Sequence, residues 1–240
     1  MKTKSFIFTV LAAALMCSCG ANPPESSTQP VLKPVLIPDK IDIVVGDSIK
    51  MSSENCTITR WEIVDNFIAA TDDDANDGII YGVHVGKTEV IAYYNENDTV
   101  EASLKAEINI KGSFDLYNDP NTDFSLTADK LQEAIGAATQ NLQEDAYRTL
   151  VYGNIEKDKY IVCYDYFNDL LIEIRVCFPN LTSEDELDEL YDFLLERYEQ
   201  IAEFSFINAY DSEDADLNIT LKTDKVFSKP VVVVSYTSTL

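Results

Sequence analysis

The stretch from Val100 to Ile110 constrains the fold most, because small or aliphatic residues alternate with polar ones along its whole length. Such alternation predicts a β-strand with one buried face. Turn residues separate it from five further stretches of strand-like composition. These stretches are Ile41–Val45, Ser48–Met51, Thr57–Val64, Gly78–Tyr81 and Thr88–Tyr94. Short strands at this spacing predict an all-β sandwich, which we place at residues 39–112.

Five short motifs in this region resemble the bacterial immunoglobulin-like domain of group 2, the module of invasin- and intimin-type surface proteins. They are Val45-Gly46-Asp47, Trp61-Glu62, Ile68-Ala69-Ala70, the run from Asp77 to Gly82 and the run from Gly86 to Val90. The resemblance implies an immunoglobulin-like (Ig-like) sandwich that acts as a spacer or an adhesive unit. Trp61 is then expected to fill the core between the two sheets.

An acidic insert within the predicted sandwich has part of the spacing of a calcium loop. Asp72, Asp74 and Asn76 alternate as calcium ligands do, but Asp77 stands where the loop needs glycine and Val83 where it needs a bidentate glutamate. The insert is therefore not an EF-hand. Two interpretations remain, a solvated loop and a weak calcium site.

Residues 113–240 predict an α+β domain, an antiparallel sheet with two helices on one face. The first helix is predicted to begin at Thr127, with its apolar stripe at Leu131, Ile135, Ala138 and Leu142. The second is predicted over Ser183–Phe204, where Ser183 and Glu186 fit a capping box. Strands are predicted at 148–152, 159–167, 170–178, 206–210, 216–221 and 231–236.

The dipeptide Asn168-Asp169 predicts a tight hairpin turn between two of these strands. Uninterrupted pairing from that turn would leave one face open, carrying Tyr160, Tyr164, Tyr166, Glu173 and Arg175. Aromatic rings with polar ends beside charged groups favour binding of a glycan or a peptide. Ordinary cross-strand pairing on a solvated face is the other interpretation.

The same register bears on the cysteines of this hairpin. It directs Cys163 and Cys177 to opposite faces, which predicts that they do not form a disulfide bond.

The N-terminus predicts export. Lys2 and Lys4 precede the apolar run Phe6–Met16, which is too short to span a bilayer. The residues that follow resemble a bacterial lipoprotein box. The resemblance implies a lipoprotein signal peptide at residues 1–18 and lipidation of Cys19, which has a small residue on each side; Cys17 is the alternative. Residues 19–38 then form a Pro/Ser-rich spacer. An ordinary signal peptide cut near Ala21 is the other interpretation.

A formal net charge of −24 limits the classes of partner that the chain can bind. Such a body repels nucleic acid, and it disfavours adsorption to anionic lipid headgroups. We therefore expect the lipid anchor to supply the membrane contact, a glycan or an envelope protein to be the partner, and no nucleic acid to bind. The expected location is the cell envelope, at the outer membrane. The sequence leaves the oligomeric state open.

The sequence contains few of the residues and motifs that are typical of a catalytic site. His84 is the only histidine, and no motif of a hydrolase, zinc, phosphate-loop or dinucleotide site occurs. We therefore predict a non-catalytic binding protein without a cofactor; a carboxylate-dependent envelope hydrolase, such as a glycosidase, is the alternative. The triplets around Ser48 and Thr99 resemble the O-glycosylation sites of gut Bacteroidetes, which implies modification of these two hydroxyls.

Overall fold

The first part of the chain folds into short strands that make two facing sheets. The computed structural model describes residues 32–72, 77–96, 100–210 and 215–239. The strands of this part are β1 (Val35–Ile37), β2 (Lys40–Val44), β3 (Ser48–Lys50), β4 (Ser52–Glu54), β5 (Ile58–Ile63), β6 (Ala69–Thr71), β7 (Ile79–Gly82), β8 (Gly86–Glu96) and β9 (Val100–Lys111). The predicted series of strands is confirmed here, and β1, β4 and β6 are additional.

Two sheets enclose a common core. One has the order β2-β9-β8-β5, with β2 parallel to β9, and the other has the order β3-β7-β6; β1 and β4 form a separate pair. Ile41, Val90 and Ile108 of the larger sheet and Ala69 and Ile80 of the smaller one belong to one buried cluster. Trp61 joins that cluster with 8% of its surface exposed, as predicted. Residues from both sheets thus pack face to face, which makes this part a β-sandwich.

The second part of the chain contains the two helices and one large sheet. Its elements are α1 (Ala128–Ile135), β10 (Gln140–Glu144), β11 (Tyr147–Tyr152), β12 (Ile161–Phe167), β13 (Leu170–Phe178), α2 (Glu184–Leu195), β14 (Glu199–Ala202), β15 (Ser205–Ile207), β16 (Leu217–Val226) and β17 (Lys229–Ser238). The eight strands pair antiparallel in the order β10-β11-β12-β13-β17-β16-β15-β14.

Both helices lie on the same face of this sheet. Leu131 of α1 and Leu190 and Phe193 of α2 join one buried cluster with Ile174 and Tyr236 of the sheet. The predicted caps are present, since Thr127 accepts a hydrogen bond from the Lys130 amide and Ser183 forms a capping box with Glu186. These caps orient each helix start, and the apolar stripes then cover the sheet.

Both helices end earlier than the sequence predicts. α1 stops at Gly136, whose φ of 97° is unfavourable for other residues, so Leu142 lies in β10 instead of on a helical stripe. α2 stops at Leu195 and not at Phe204, and residues 199–202 form an edge strand. No glycine or proline marks this second end, and the apolar spacing continues past it. Pairing with the neighbouring β15 decides the conformation there.

The two parts contact each other around the end of α2. The Val85 amide donates to the carbonyl of Glu196 at 2.7 Å, and the Glu196 carboxylate accepts the Ser113 amide at 2.9 Å. From Pro34 on, the described residues form one compact unit. The boundary between residues 112 and 113 stays a prediction.

Candidate functional site

The five side chains predicted to share an open face do not share one. Tyr164 and Tyr166 are 2% and 0% exposed and belong to the core under the helices, against which Tyr160 also packs. Glu173 and Arg175 lie on the opposite face of the sheet. The prediction of one mixed surface is therefore wrong.

A β-bulge explains the difference. Phe167 pairs with Leu170 as predicted, and Asn168 and Asp169 both adopt the positive φ of the expected turn. The register then shifts, so that Asp165 pairs with Glu173 and Ile172 is left as the extra residue. Because side chains alternate between faces, this single residue reverses the orientation of the rest of β13 relative to the prediction.

The displaced tyrosines support the fold. The hydroxyl of Tyr164 accepts the Asn121 amide at 3.0 Å, and that of Tyr160 accepts the Asn118 amide at 3.2 Å. Burial raises the pKa of Tyr164 and of Tyr166. The Tyr166 hydroxyl has no hydrogen-bond partner within the described ranges. Tyr160 and Tyr164 thus hold the connection before α1 against the sheet.

The side of the sheet opposite the two helices carries a fixed polar network next to the buried cluster of Cys163 and Cys177. Arg175 donates from Nε and Nη2 to the two carboxylate oxygens of Asp165 at 2.6 and 3.0 Å, and Thr149 Oγ1 donates to the same carboxylate at 2.6 Å. The side chains of Asp165 and Arg175 are 16% and 18% exposed. A bidentate pair with this little freedom presents its outer edges to solvent in one orientation.

A second carboxylate extends the network. Glu173 accepts hydrogen bonds from Lys222 Nζ at 2.8 Å and from the hydroxyl of Ser235. Burial alone would raise the pKa of Glu173, but these two hydrogen bonds outweigh it and the pKa lies below its ordinary value. Glu173 is therefore ionised at neutral pH, and it accepts hydrogen bonds rather than donating a proton.

Exposed apolar side chains lie beside the network on the same side. Tyr147 and Phe167 are paired across β11 and β12, with ring centroids 4.8 Å apart. Their exposed fractions are 59% and 39%. Leu142, which pairs with Thr149, and Leu170, which pairs with Phe167, are also exposed on this side. We call this aromatic pair together with the Asp165–Arg175 and Glu173–Lys222 groups the open face.

Sequence reasoning missed most of the open face. Tyr147 directly precedes a predicted strand, and Asp165 falls among the residues of the predicted core face. A charged residue at an apparent core position was the one signal of a wrong register.

The cysteine prediction changes for the same reason. Cys163 and Cys177 lie on the same face, buried in a small cluster with Val151, Ile161 and Val233, so their expected placement on opposite faces is wrong. Both are free thiols. A hydrogen bond with Cys163 and burial raise the pKa of Cys177, which keeps it in the unreactive thiol form.

The structure describes only some of the remaining residues that the sequence singled out. His84 is 6% exposed, its Nδ1 lies 2.7 Å from the Phe67 carbonyl oxygen and its ring stacks on Phe67 at 4.0 Å, which is a structural role. Ser48 is exposed in β3, and its modification stays a prediction. Cys17, Cys19, Asp74, Asn76 and Thr99 lie outside the described residues.

Two further features of the described residues concern metal binding and membrane insertion. Asp72 is described, but no group of three or more potential metal ligands occurs within those residues. None of the helices in the described ranges is long and apolar enough to cross a membrane.

Comparisons with known proteins give distant likenesses only. No family model and no curated protein matches the sequence. Among solved structures, cadherin domains 3–6 of protocadherin gamma B2 match with 8% identity and a TM-score of 0.26, over 84% of this chain and 38% of that one. SGBP-B of the Bacteroides ovatus mixed-linkage glucan utilization locus, in complex with a heptasaccharide, matches with 10% identity and a TM-score of 0.28, over 83% and 60%.

The chain thus spans 38% and 60% of the length of these two structures. At such TM-scores neither likeness supports an assignment of fold or function.

Proposed function

We propose that this chain is a non-catalytic, lipid-anchored protein of the cell envelope that binds a neutral glycan on the open face. The sandwich acts as the spacer that carries the α+β part. The observation that carries the proposal is the exposed pair Tyr147 and Phe167 beside a rigid polar network, on the side of the sheet opposite α1 and α2.

The chemistry of the open face suits a sugar. A sugar ring has apolar C–H faces, which stack on aromatic side chains, and hydroxyl groups, which both donate and accept hydrogen bonds. The outer edges of Asp165, Arg175 and Glu173 offer donors and acceptors already fixed in place. Fixed groups of this kind lose little conformational entropy when a ligand binds.

The negative charge of the chain favours neutral glycans over acidic ones. The formal net charge of −24 raises the energy of any anionic ligand near the surface. Within the open face, Arg175 is paired with Asp165 and Lys222 with Glu173, so neither cation is left over for a carboxylate or sulfate. A neutral glycan is therefore the favoured class over an acidic one.

The two carboxylates of the open face, Asp165 and Glu173, favour binding over hydrolysis. Hydrolysis of a glycosidic bond needs a carboxylic acid with a raised pKa beside a carboxylate. Asp165 and Glu173 are directly opposed, yet the pKa of Glu173 is lowered and both carboxylates are held by cations. This arrangement supports the non-catalytic proposal over the glycosidase alternative.

A binding screen tests the proposal. The purified chain is applied to an array of neutral and acidic glycans, together with Tyr147→Ala and, as a matched control, Tyr81→Ala, whose ring is 41% exposed in the sandwich. We expect binding to neutral glycans that weakens about tenfold in Tyr147→Ala, equivalent to about 1.4 kcal/mol. Tyr81→Ala should bind like the unaltered chain. Hydrolysis of a bound glycan, or equal loss in both variants, would overturn the proposal.

The anchor has its own test. The positive start, the short apolar run and the small residues around Cys19 support lipidation there. We expect Cys19→Ala to move the protein from the membrane fraction to the soluble fraction, whereas Cys17→Ala leaves it membrane-bound. The reverse result would assign the anchor to Cys17.

A further inference from the structure

A cleft in the sandwich runs along β5, the last strand in the order of the larger sheet among the described residues. β5 is the edge strand of the larger sheet and β6 is the edge strand of the smaller one. Between them lies a cavity of about 780 Å³, lined by Thr59 to Ile63 of β5, by Ala70 and Thr71 of β6, and by Asn66, Asp72 and Tyr210. The cleft is separate from the open face and shares no residue with it.

The backbone of β5 presents hydrogen-bonding groups to this cleft. The Val64 amide donates to the Glu89 carbonyl at 3.0 Å, so these two residues form a hydrogen-bonded pair. Hydrogen-bonded and non-hydrogen-bonded pairs alternate along an antiparallel ladder. Trp61 and Ile63, paired with Ala92 and Val90, therefore direct their N–H and C=O groups away from β8, toward the free edge.

A free edge of this kind is a template for one more strand. Proteins usually protect such edges, because unpaired backbone groups recruit other chains. The six residues of β5 span about 20 Å at 3.4 Å per residue, which matches an extended peptide of similar length. Side chains of that peptide would alternate between the cleft and solvent.

The charges of the cleft indicate which peptide fits. Arg60 stacks over the Tyr93 ring at 3.6 Å and pairs with Glu62 at 2.7 Å, which offsets its charge. Asp72 lies in the cleft wall, and the chain as a whole has a net charge of −24. A basic segment is therefore attracted and an acidic one is repelled.

We propose that the β5 edge accepts an extended, basic segment of another protein as an added antiparallel or parallel strand. Recognition then has two components, main-chain hydrogen bonds to Trp61 and Ile63 and charge complementarity to the acidic cleft. This goes beyond glycan binding on the open face, and it succeeds or fails independently of it.

Three eight-residue probes test the proposal on the unaltered full chain. The first is an alternating Thr-Lys peptide, the second has the same sequence with every backbone amide N-methylated, and the third carries Glu in place of Lys. Trp61 is the only tryptophan of the chain and lines the cleft, so its fluorescence reports binding. Amide hydrogen exchange at Trp61 and Ile63 reports strand addition.

We expect the Thr-Lys probe to bind and to slow exchange at the two amides at least tenfold. The N-methylated probe should bind at least tenfold more weakly, because neither of its edges has N–H donors. The Glu probe should not bind. Equal binding of the methylated probe, no binding of the Thr-Lys probe, or slow exchange at both amides before any probe is added would each overturn the proposal. The last result would mean that the chain itself or a second copy already covers the edge.

A charge variant separates the cleft from general attraction to an acidic protein. Asp72→Asn should weaken the Thr-Lys probe several-fold, whereas Asp188→Asn, which removes the same charge from the exposed side of α2, should leave its affinity unchanged. An equal loss in the two variants would show that only the overall charge attracts the probe, and would contradict binding at this cleft.

Discussion

The two faces of the eight-stranded sheet use the same residue types for different purposes. On the helix-covered side, aromatic rings such as Phe193 of α2 and Tyr164 of β12 are buried in one cluster and fix the fold. On the open face, Tyr147 and Phe167 stay exposed next to ion pairs. These rings are thus buried where α1 and α2 lie above the sheet and exposed on the opposite side.

Truncating an aromatic ring on each face should show the largest contrast. Phe193→Ala removes a ring that is 0% exposed and that contacts Tyr117 and Arg197, so we expect a loss of about 4 kcal/mol in the free energy of unfolding. Phe167→Ala, on the open face, should cost less than about 1 kcal/mol. Denaturant unfolding of both variants measures the difference, and similar losses would contradict the assignment of the two faces.

The ion pair of the open face should give the next largest effect. Arg175→Met leaves the Asp165 carboxylate, only 16% exposed, without its cation, and we expect a loss of about 2 kcal/mol. Adding Asp165→Asn to Arg175→Met should restore part of the lost free energy of unfolding. Lys105→Met breaks a far more exposed pair with Glu89 and should cost no more than about 0.5 kcal/mol. If Arg175→Met and Lys105→Met lose the same free energy of unfolding, the Asp165–Arg175 pair is not a rigid element.

The covered face should control stability at alkaline pH. Burial raises the pKa of Tyr236, and also that of Tyr117, well above 10 in the folded chain. The unfolded chain then loses protons first, so stability is full below the unfolded pKa of about 10 and falls as the pH rises above it. Each such tyrosine removes up to about 1.4 kcal/mol per pH unit. Tyr236→Phe should flatten this fall in unfolding curves at pH 9–11.

The open face should contribute to the loss of stability at acid pH. This is the smallest of the expected effects. The folded pKa of Glu173 lies below its unfolded value of about 4.3, so its contribution is complete above that pH and is lost as the pH falls through the folded pKa. We expect Glu173→Gln to remove at most about 1 kcal/mol of this dependence. An unchanged acid limb in Glu173→Gln would show that Lys222 and Ser235 do not stabilise the carboxylate.

The sequence predicted the elements better than the faces. Alternation, the Asn168-Asp169 turn and the caps at Thr127 and Ser183 are local signals, and all are present in the structure. The bulge at Ile172 has no local signal, because the extra residue is as apolar as its neighbours and the pattern continues through it. The open face depends on that one residue, so its members could not be identified before the register was known.

Nuclear magnetic resonance titration can locate a glycan site on the open face. Neutral hexasaccharides of glucose, mannose, galactose and xylose are added to the isotope-labelled chain, and the chemical shifts of the backbone amides are followed. We expect at least one sugar to shift the amides of Tyr147, Thr149, Phe167 and Arg175 and to leave those of α2 unchanged. Shifts confined to α2 or to the sandwich, or no shift with any neutral sugar, would contradict a glycan site on the open face.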